Sequence, residues 1–282
     1  MARINRAVEL LAQGQPIYTT SLAEPGYEHG REAAASWADY LTVDLEHHPF
    51  EPAALRQLMR GLVDGGPTRS GHRTPAVVVT LPTSGVDEQV VRANAWMIKQ
   101  ALAAGVHGLL LCHVESPAAV RAFVEHTRYA FRDGEGRRGA GGEAFAAGIW
   151  GLAQDDYLER ADPWPLNPEG ELILGLKIEN RRALERCEES LAVPGIAFAE
   201  WGPGDMGMGF GHKDAHDPPY PPEMAAARAR VKAACERSGV AFFDIVRPDD
   251  VTRQIDDGVR VCAATAEGAE IGRRHSGRTL PW

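Results

Sequence analysis

Residues 108–128 read GLLLCHVESPAAVRAFVEHTR, and this stretch decides the fold. The apolar run at 108–112 has the length of a strand enclosed on both faces and is too short for a buried helix. Ser116 then precedes Pro117, which pairs an N-cap hydroxyl with proline at the first helical position, and 118–128 shows helical periodicity. A buried strand feeding a capped helix through a short loop is one βα unit of a parallel sheet.

The same unit recurs in both directions along the chain. Toward the N-terminus, apolar runs at 16–22, 39–43 and 76–81 predict strands, with helices over 52–63 and 88–104, the second ended by Gly105. Toward the C-terminus, runs at 172–178, 195–200, 241–245 and 259–262 predict strands, separated by helical stretches that include 181–191 and 222–238. A helix precedes the first strand, and no break in composition marks a second domain. The pattern predicts one α/β domain over 1–282, a single (β/α)8 TIM barrel, with a doubly wound open sheet as the competing topology. Between 131 and 170 the pattern dissolves into glycine, arginine and proline, so this long loop after strand 4 is expected to be an excursion or lid with a mobile tip.

The 282 residues suit a barrel of about 250 residues with additions. A hydrophobic content of 44% and a charged content of 24% exclude wholesale disorder. A formal charge of −9 without a local basic patch argues against nucleic acid and anionic membrane as partners. The longest apolar runs, 75–82 and 108–112, fall far below the roughly 20 residues of a membrane span. The N-terminal MARINRAVELLAQGQP carries Arg3, Arg6 and Glu9 and lacks an apolar signal core. Cys112, Cys187, Cys235 and Cys262 are scattered without a CxxC pair, which predicts reduced core thiols, and a cytoplasmic location is expected.

Active sites of such barrels lie at the C-terminal ends of the strands. Asp44, Glu46 and His47 close the second strand, Glu179 closes the fifth, and Asp205 follows the sixth. Two carboxylates from neighbouring strand ends make a hard oxygen site for Mg2+ or Mn2+; helix-capping acids are the ordinary alternative. His47 beside Asp44 has the make-up of a general base oriented by a carboxylate, against a structural histidine, which is how His48 reads. Glu46 either joins this cluster or faces solvent. Residues 202–207 read G-x-G-x-x-G, but Asp205 inside the motif would repel a pyrophosphate. His212 and His216 have the spacing of a helical metal pair, yet Pro218, Pro219, Pro221 and Pro222 predict a loop with surface histidines. Arg137 and Arg138 are expected to be solvated loop charges.

Three motifs in order, Asp44-x-Glu46-His47, Lys177-Ile178-Glu179 and Gly202-Pro203-Gly204-Asp205, resemble those of the HpcH/HpaI aldolases, metal-dependent pyruvate-type aldolases. The resemblance runs from about residue 40 to 211, includes Gly105-Val106-His107-Gly108, and is looser beyond. It implies Glu179 and Asp205 as ligands of a divalent metal, Mg2+ or Mn2+ with Co2+ as a further candidate. It implies that backbone amides of Gly204 and Asp205 hold the substrate carboxylate and that Asp44 and His47 activate water. It also implies 2-oxo acid and aldehyde substrates and a homo-oligomer, such as a hexamer.

Two departures matter. Thr80 occupies the third-strand position where the family has an arginine that stabilises the enolate, and a neutral hydroxyl cannot replace a fork of cationic donors. Lys177 stands where the family commonly has glutamine; alternation along a strand lets it share a mouth with Glu179, so it is a candidate to return the missing charge. Cys112-His113 replaces a proline and a methionine, with His113 read as a packing residue or a substrate contact. The expected activity is that of a metal-dependent carbon–carbon lyase that forms an enolate from a 2-oxo acid and adds it to, or releases it from, an aldehyde. Thr80 is then a substrate-binding position and Lys177 a catalytic one. The alternatives are a Schiff-base aldolase using Lys177 and a non-catalytic barrel that binds metal and oxo acid.

Overall fold

The apolar runs pair as parallel strands that close on themselves. The computed structural model describes residues 2–22 and 24–278. Its strands are β1 (Ile17–Leu22), β2 (Tyr40–Asp44), β3 (Ala76–Ser84), β4 (Gly108–Cys112), β5 (Pro163–Trp164), β6 (Leu172–Lys177), β7 (Phe198–Glu200), β8 (Ala241–Ile245) and β9 (Val259–Ala263). β1 to β4 follow one another, β4 pairs with β6, and β6 to β9 lead back to β1. The β4–β6 and β9–β1 pairings make this a closed ring of eight, the (β/α)8 barrel, and exclude the open sheet. The two-residue β5 pairs with the start of β6 outside the expected count.

Side-chain alternation sorts each strand into an outer and an inner series. Val77, Val79, Leu109, Leu111, Leu174 and Leu176 belong to the large core between strands and helices. The inner series packs the lumen and turns polar toward the C-terminal ends: Tyr40, Thr42 and Asp44 on β2; Ala76, Val78 and Thr80 on β3; Ile173, Gly175 and Lys177 on β6. Gly175 is required by close packing, because a Cβ there would lie 2.3 Å from the Phe198 ring in the barrel interior. A dry lower lumen thus supports a polar upper one.

The helix Arg6–Ala12 plugs the bottom of the barrel with Ala7, Val8 and Leu10. Asn5 caps it by accepting from Ala7 N and Val8 N, while its own Nδ2 donates to the carbonyls of His107 and Glu171. Beside this plug the buried Asp39 carboxylate is bound by Arg6 and Arg278, with Arg273 3.4 Å away. Charge at this end serves closure, since the chemistry of such barrels lies at the other.

The long connection after β4 is not a lid. The helix Pro117–Thr127 runs back along the barrel, so the chain reaches residue 128 at the N-terminal face, opposite the expected active site. There it forms the helices Glu143–Trp150 and Gln154–Arg160, and Trp150 Nε1 donates to Gly105 O at 2.8 Å while its ring stacks on His107. Arg138 is buried and donates to the Tyr157 hydroxyl at 2.7 Å, and Arg137 pairs with Glu125; neither guanidinium is a free loop charge.

Three local expectations shift. The helix expected over 88–104 is divided into Glu88–Ala93 and Ala95–Ala103 at Asn94, whose side-chain amide donates to Val90 O and competes with the helical ladder. β7 starts at Phe198 instead of 195 because Gly195 has φ +99°, outside the strand region. A helix, Tyr27–Ala33, fills the connection between β1 and β2. All four cysteines are free and buried, and no helix of the described residues is long and apolar enough to cross a membrane.

Candidate active site

The polar ends of β1, β2, β3, β6, β7, β8 and β9 surround a cavity of about 560 Å³ at the C-terminal mouth. Asp44, Thr80, Lys177 and Glu200 line one side of it. Asp44 and Thr80 are register partners on β2 and β3, and Lys177 and Glu200 are register partners on β6 and β7.

Asp44 is held by its own loop. One carboxylate oxygen accepts from Glu46 N and His47 N at 2.9 and 3.2 Å, and the other lies 2.8 Å from His47 Nδ1. That contact leaves Nε2 as the histidine nitrogen able to take a proton, and the His47 side chain is 61% exposed, open to a ligand. The hydrogen bond that His47 donates to Asp44 raises the His47 pKa above its ordinary value, outweighing burial.

Lys177 is the hub of a second cluster. Its Nζ lies 2.8 Å from Glu46 Oε2 and 3.3 Å from Glu179 Oε2. Burial works against the ammonium, but Glu200, Glu179 and the Glu46 contact outweigh it and raise the Lys177 pKa. Burial likewise opposes ionisation of Glu46, yet His113 and Lys177 hold its pKa down to about 2. Glu200 is pushed up to about 7, chiefly by burial. The Cys112 thiol is also raised by burial, which makes it a packing group.

His113 belongs to this cluster, not to the packing interior. It has φ +47°, a left-handed conformation uncommon for a side-chain-bearing residue. That turn brings its N–H to Glu179 Oε1 at 2.7 Å and its ring between Glu179 and Glu46, 3.3 Å from each.

Glu179 and the 202–205 turn are interlocked. Gly202 has φ +52°, and a Cβ on it would lie 2.3 Å from Glu179 Cβ and 3.0 Å from Oε2. Only glycine lets the chain pass this close before the helix Pro203–Phe210 begins. Gly204 and Asp205 occupy its first turn, where backbone N–H groups have no intrahelical acceptor. Asp205 makes no ion pair among the described residues; the His113 pKa is raised by the Glu46 contact against burial, then by the charge of Glu179, with Asp205 adding least. Gly202→Ala is expected to cost at least about 1 kcal/mol of stability through the left-handed backbone alone, with further loss from displacement of Glu179. Denaturant unfolding checks it.

The donor set fits a hard divalent cation. Glu179 Oε2 is buried and takes no hydrogen bond among the described residues, with the Lys177 ammonium 3.3 Å away as its ion-pair partner. Asp44, Glu46, Glu179, Glu200 and Asp205 lie about the mouth with Lys177, Arg247 and two histidines, so carboxylates outnumber the lysine and arginine there. Glu46, His113 and Glu179 each offer a ligand atom within 4.8 Å of one another, and Lys177 contacts both carboxylates of this group.

Sequence reasoning missed Glu200 and undervalued His113 and Glu46. Period-two alternation from Phe198 was the available signal for Glu200. The His212 and His216 rings take separate partners, Glu223 and Asp217, and form no joint site.

Comparison with known proteins agrees with this architecture. Residues 28–272 match the family model described as HpcH/HpaI aldolase/citrate lyase. A hydroxypyruvate/pyruvate aldolase of Paraburkholderia phytofirmans is 27% identical over 232 residues, 82% of this chain and 75% of that protein. The crystal structure of an HpcH/HpaI aldolase/citrate lyase family protein from Burkholderia cenocepacia has a TM-score of 0.73 at 23% identity, covering 97% of each chain. The citrate lyase beta subunit of M. tuberculosis, complexed with oxaloacetate and magnesium, shares the fold at a TM-score of 0.54 and 14% identity, covering 94% of this chain and 98% of that one. With a family match spanning most of its length on a closed eight-stranded barrel, the chain belongs to the HpcH/HpaI aldolase/citrate lyase family and with it to the carbon–carbon lyases.

Proposed function

We propose that this chain is a divalent-metal-dependent aldolase that makes a carbon nucleophile from a 2-oxo acid and joins it to an aldehyde, or runs the reverse cleavage. The observation that carries this reading is the juxtaposition, at one barrel mouth, of the Asp44–His47 pair with the buried carboxylate of Glu179, whose Oε2 faces the Lys177 ammonium at 3.3 Å and takes no hydrogen bond among the described residues. Glu179 and Asp205 would hold Mg2+ or Mn2+, which when bound supplies a Lewis acid toward the oxo and carboxylate oxygens of the substrate.

The chain's own residues do the rest. Backbone amides of Gly204 and Asp205, unpaired in the first helical turn, hold the substrate carboxylate. His47 Nε2 takes a proton from C3 of the oxo acid, and Asp44 fixes the ring and favours its protonated form. Lys177 offsets negative charge from Glu46 and Glu179. Thr80 occupies little space and leaves the cavity open above the apolar lumen. A Schiff base on Lys177 is disfavoured, because the surrounding carboxylates keep it an ammonium instead of a free amine.

The test is exchange of C3 protons of pyruvate in D2O, followed by proton NMR, with chelator-stripped protein and with protein loaded with Mg2+ or Mn2+. Exchange in the loaded protein that vanishes on stripping is the expected result. Absence of exchange with either metal would refute the reading, and borohydride-trapped pyruvate on Lys177 would replace it with the Schiff-base one.

A further inference from the structure

The mouth cavity is chemically two-sided. Its acids and its lysine, Asp44, Glu200 and Lys177, lie on β2, β6 and β7. Among the described residues the opposite wall, from β8, β9 and β1, is lined by no acid; Arg247, Ser21 and Thr265 lie on it, the Thr265 hydroxyl accepting from Gly268 N and keeping its own proton to donate. These groups stand at the ends of the seventh, eighth and first strands of the ring, across the mouth from the catalytic cluster.

The Arg247 wall is built. Val246 N donates to Ala263 O at 2.9 Å, and Arg247 N donates to Asp250 Oδ1 at 2.8 Å, which fixes the backbone from which the guanidinium projects. A Cβ on Gly268 would lie 3.8 Å from Arg247 C and 3.6 Å from Thr265 Oγ1, so the loop after β8 rests on the segment carrying Thr265. Among the described residues the guanidinium pairs with Asp217, from the loop that precedes the helix Pro222–Ser238. Asp217 is 60% exposed, and an ion pair so open to water contributes little, so a ligand anion can take its place.

We infer that Arg247, Ser21 and Thr265 form a subsite for a phosphate monoester on the distal end of the aldehyde substrate. The inference rests on the aldolase reading for the identity of the substrate, not for the binding of phosphate. Loops after the seventh and eighth strands are where (β/α)8 barrels frequently hold phosphate. A carboxylate would merely exchange one monoanion for another on Arg247, whereas a phosphate brings close to two charges and three acceptor oxygens to a guanidinium and two hydroxyls. The cavity of about 560 Å³ has room for a short carbon chain between the two walls.

Two measurements test it. Calorimetry with inorganic phosphate is expected to show binding to the intact protein, weakened about tenfold or more in Arg247→Gln and tightened in Asp217→Asn, because Asp217 competes for the same guanidinium. Opposite signs are diagnostic: if Arg247 merely latches the loop through Asp217, both variants change alike or neither changes phosphate binding, and the subsite is overturned. Turnover is then compared for glyceraldehyde 3-phosphate, glyceraldehyde and succinic semialdehyde with pyruvate as donor. The phosphorylated aldehyde is expected to lead glyceraldehyde in kcat/KM by about 10²-fold, with the ratio collapsing in Arg247→Gln. A preference for succinic semialdehyde overturns the phosphate assignment. Phosphate binding with the expected signs but no turnover of any aldehyde upholds the subsite and sinks the aldolase reading instead.

Discussion

Replacing His47 by alanine is expected to slow C3 proton exchange of a bound 2-oxo acid by on the order of 10³-fold, the range lost when a positioned general base is removed. The geometry motivates the size of this effect: Asp44 already occupies Nδ1 and fixes the ring, so no rotation or recruitment is needed before Nε2 accepts a proton. The same contact sets the pH dependence. A base must be neutral to act, so exchange should rise with pH through the His47 pKa, which the Asp44 hydrogen bond raises above the ordinary imidazole value. In Asp44→Asn that support for the imidazolium is gone; the rise should move to lower pH while the plateau rate falls. NMR exchange rates measured from pH 5 to 9 on the three proteins check both statements. Exchange in His47→Ala equal to that of the parent would assign the proton transfer to another group, with Glu200, raised to about 7, as the next to examine.

The barrel was legible in the sequence because burial on two faces leaves a continuous apolar run: six of the eight ring strands have expected bounds within one residue of those observed at both ends, and β3 and β7 each differ by three residues at one end. What the runs could not convey was which way round a long connection lies. The 131–170 segment has the glycine and arginine content of a lid, yet the helix before it delivers it to the bottom of the barrel, where Trp150 and Arg138 are packed. Composition carries no information about that polarity; strand and helix direction does.

The candidate site was legible where chemistry follows the strand period. Asp44, Thr80 and Lys177 each continue an inward series, and all three line the mouth. Glu200 continues one as well and was overlooked, because β7 keeps only three residues and offers too few alternations to read. His113 was illegible for a different reason. Its role depends on a left-handed backbone angle that nothing in the residues around it announces. Arg247 lies beyond the end of β8, where side-chain direction is set by loop packing.

Lys177→Gln is expected to lower turnover by about 10²-fold and also to destabilise the fold by about 3 kcal/mol, since it leaves Glu46 and Glu179 without the cation they surround. The two losses have separable origins. If the ammonium acts only to neutralise its carboxylate partners, then Glu46→Gln added to Lys177→Gln removes the unpaired charge and should restore both stability and turnover. If the ammonium also faces the negative charge that develops on the substrate, the double variant regains stability in urea unfolding but stays slow, because neither glutamine supplies a cation. The structure favours the second outcome: Lys177 and Thr80 line the same cavity, and among the described residues of β2, β3, β6 and β7 that line it Lys177 is the one lysine or arginine able to meet a developing enolate. Adding Thr80→Arg to Lys177→Gln should then recover part of the turnover by returning a guanidinium across the lumen, while Thr80→Arg alone crowds two cations into one mouth and lowers it. Full turnover in Lys177→Gln would leave the His47 assignment standing and reduce the lysine to a counter-ion for Glu46 and Glu179.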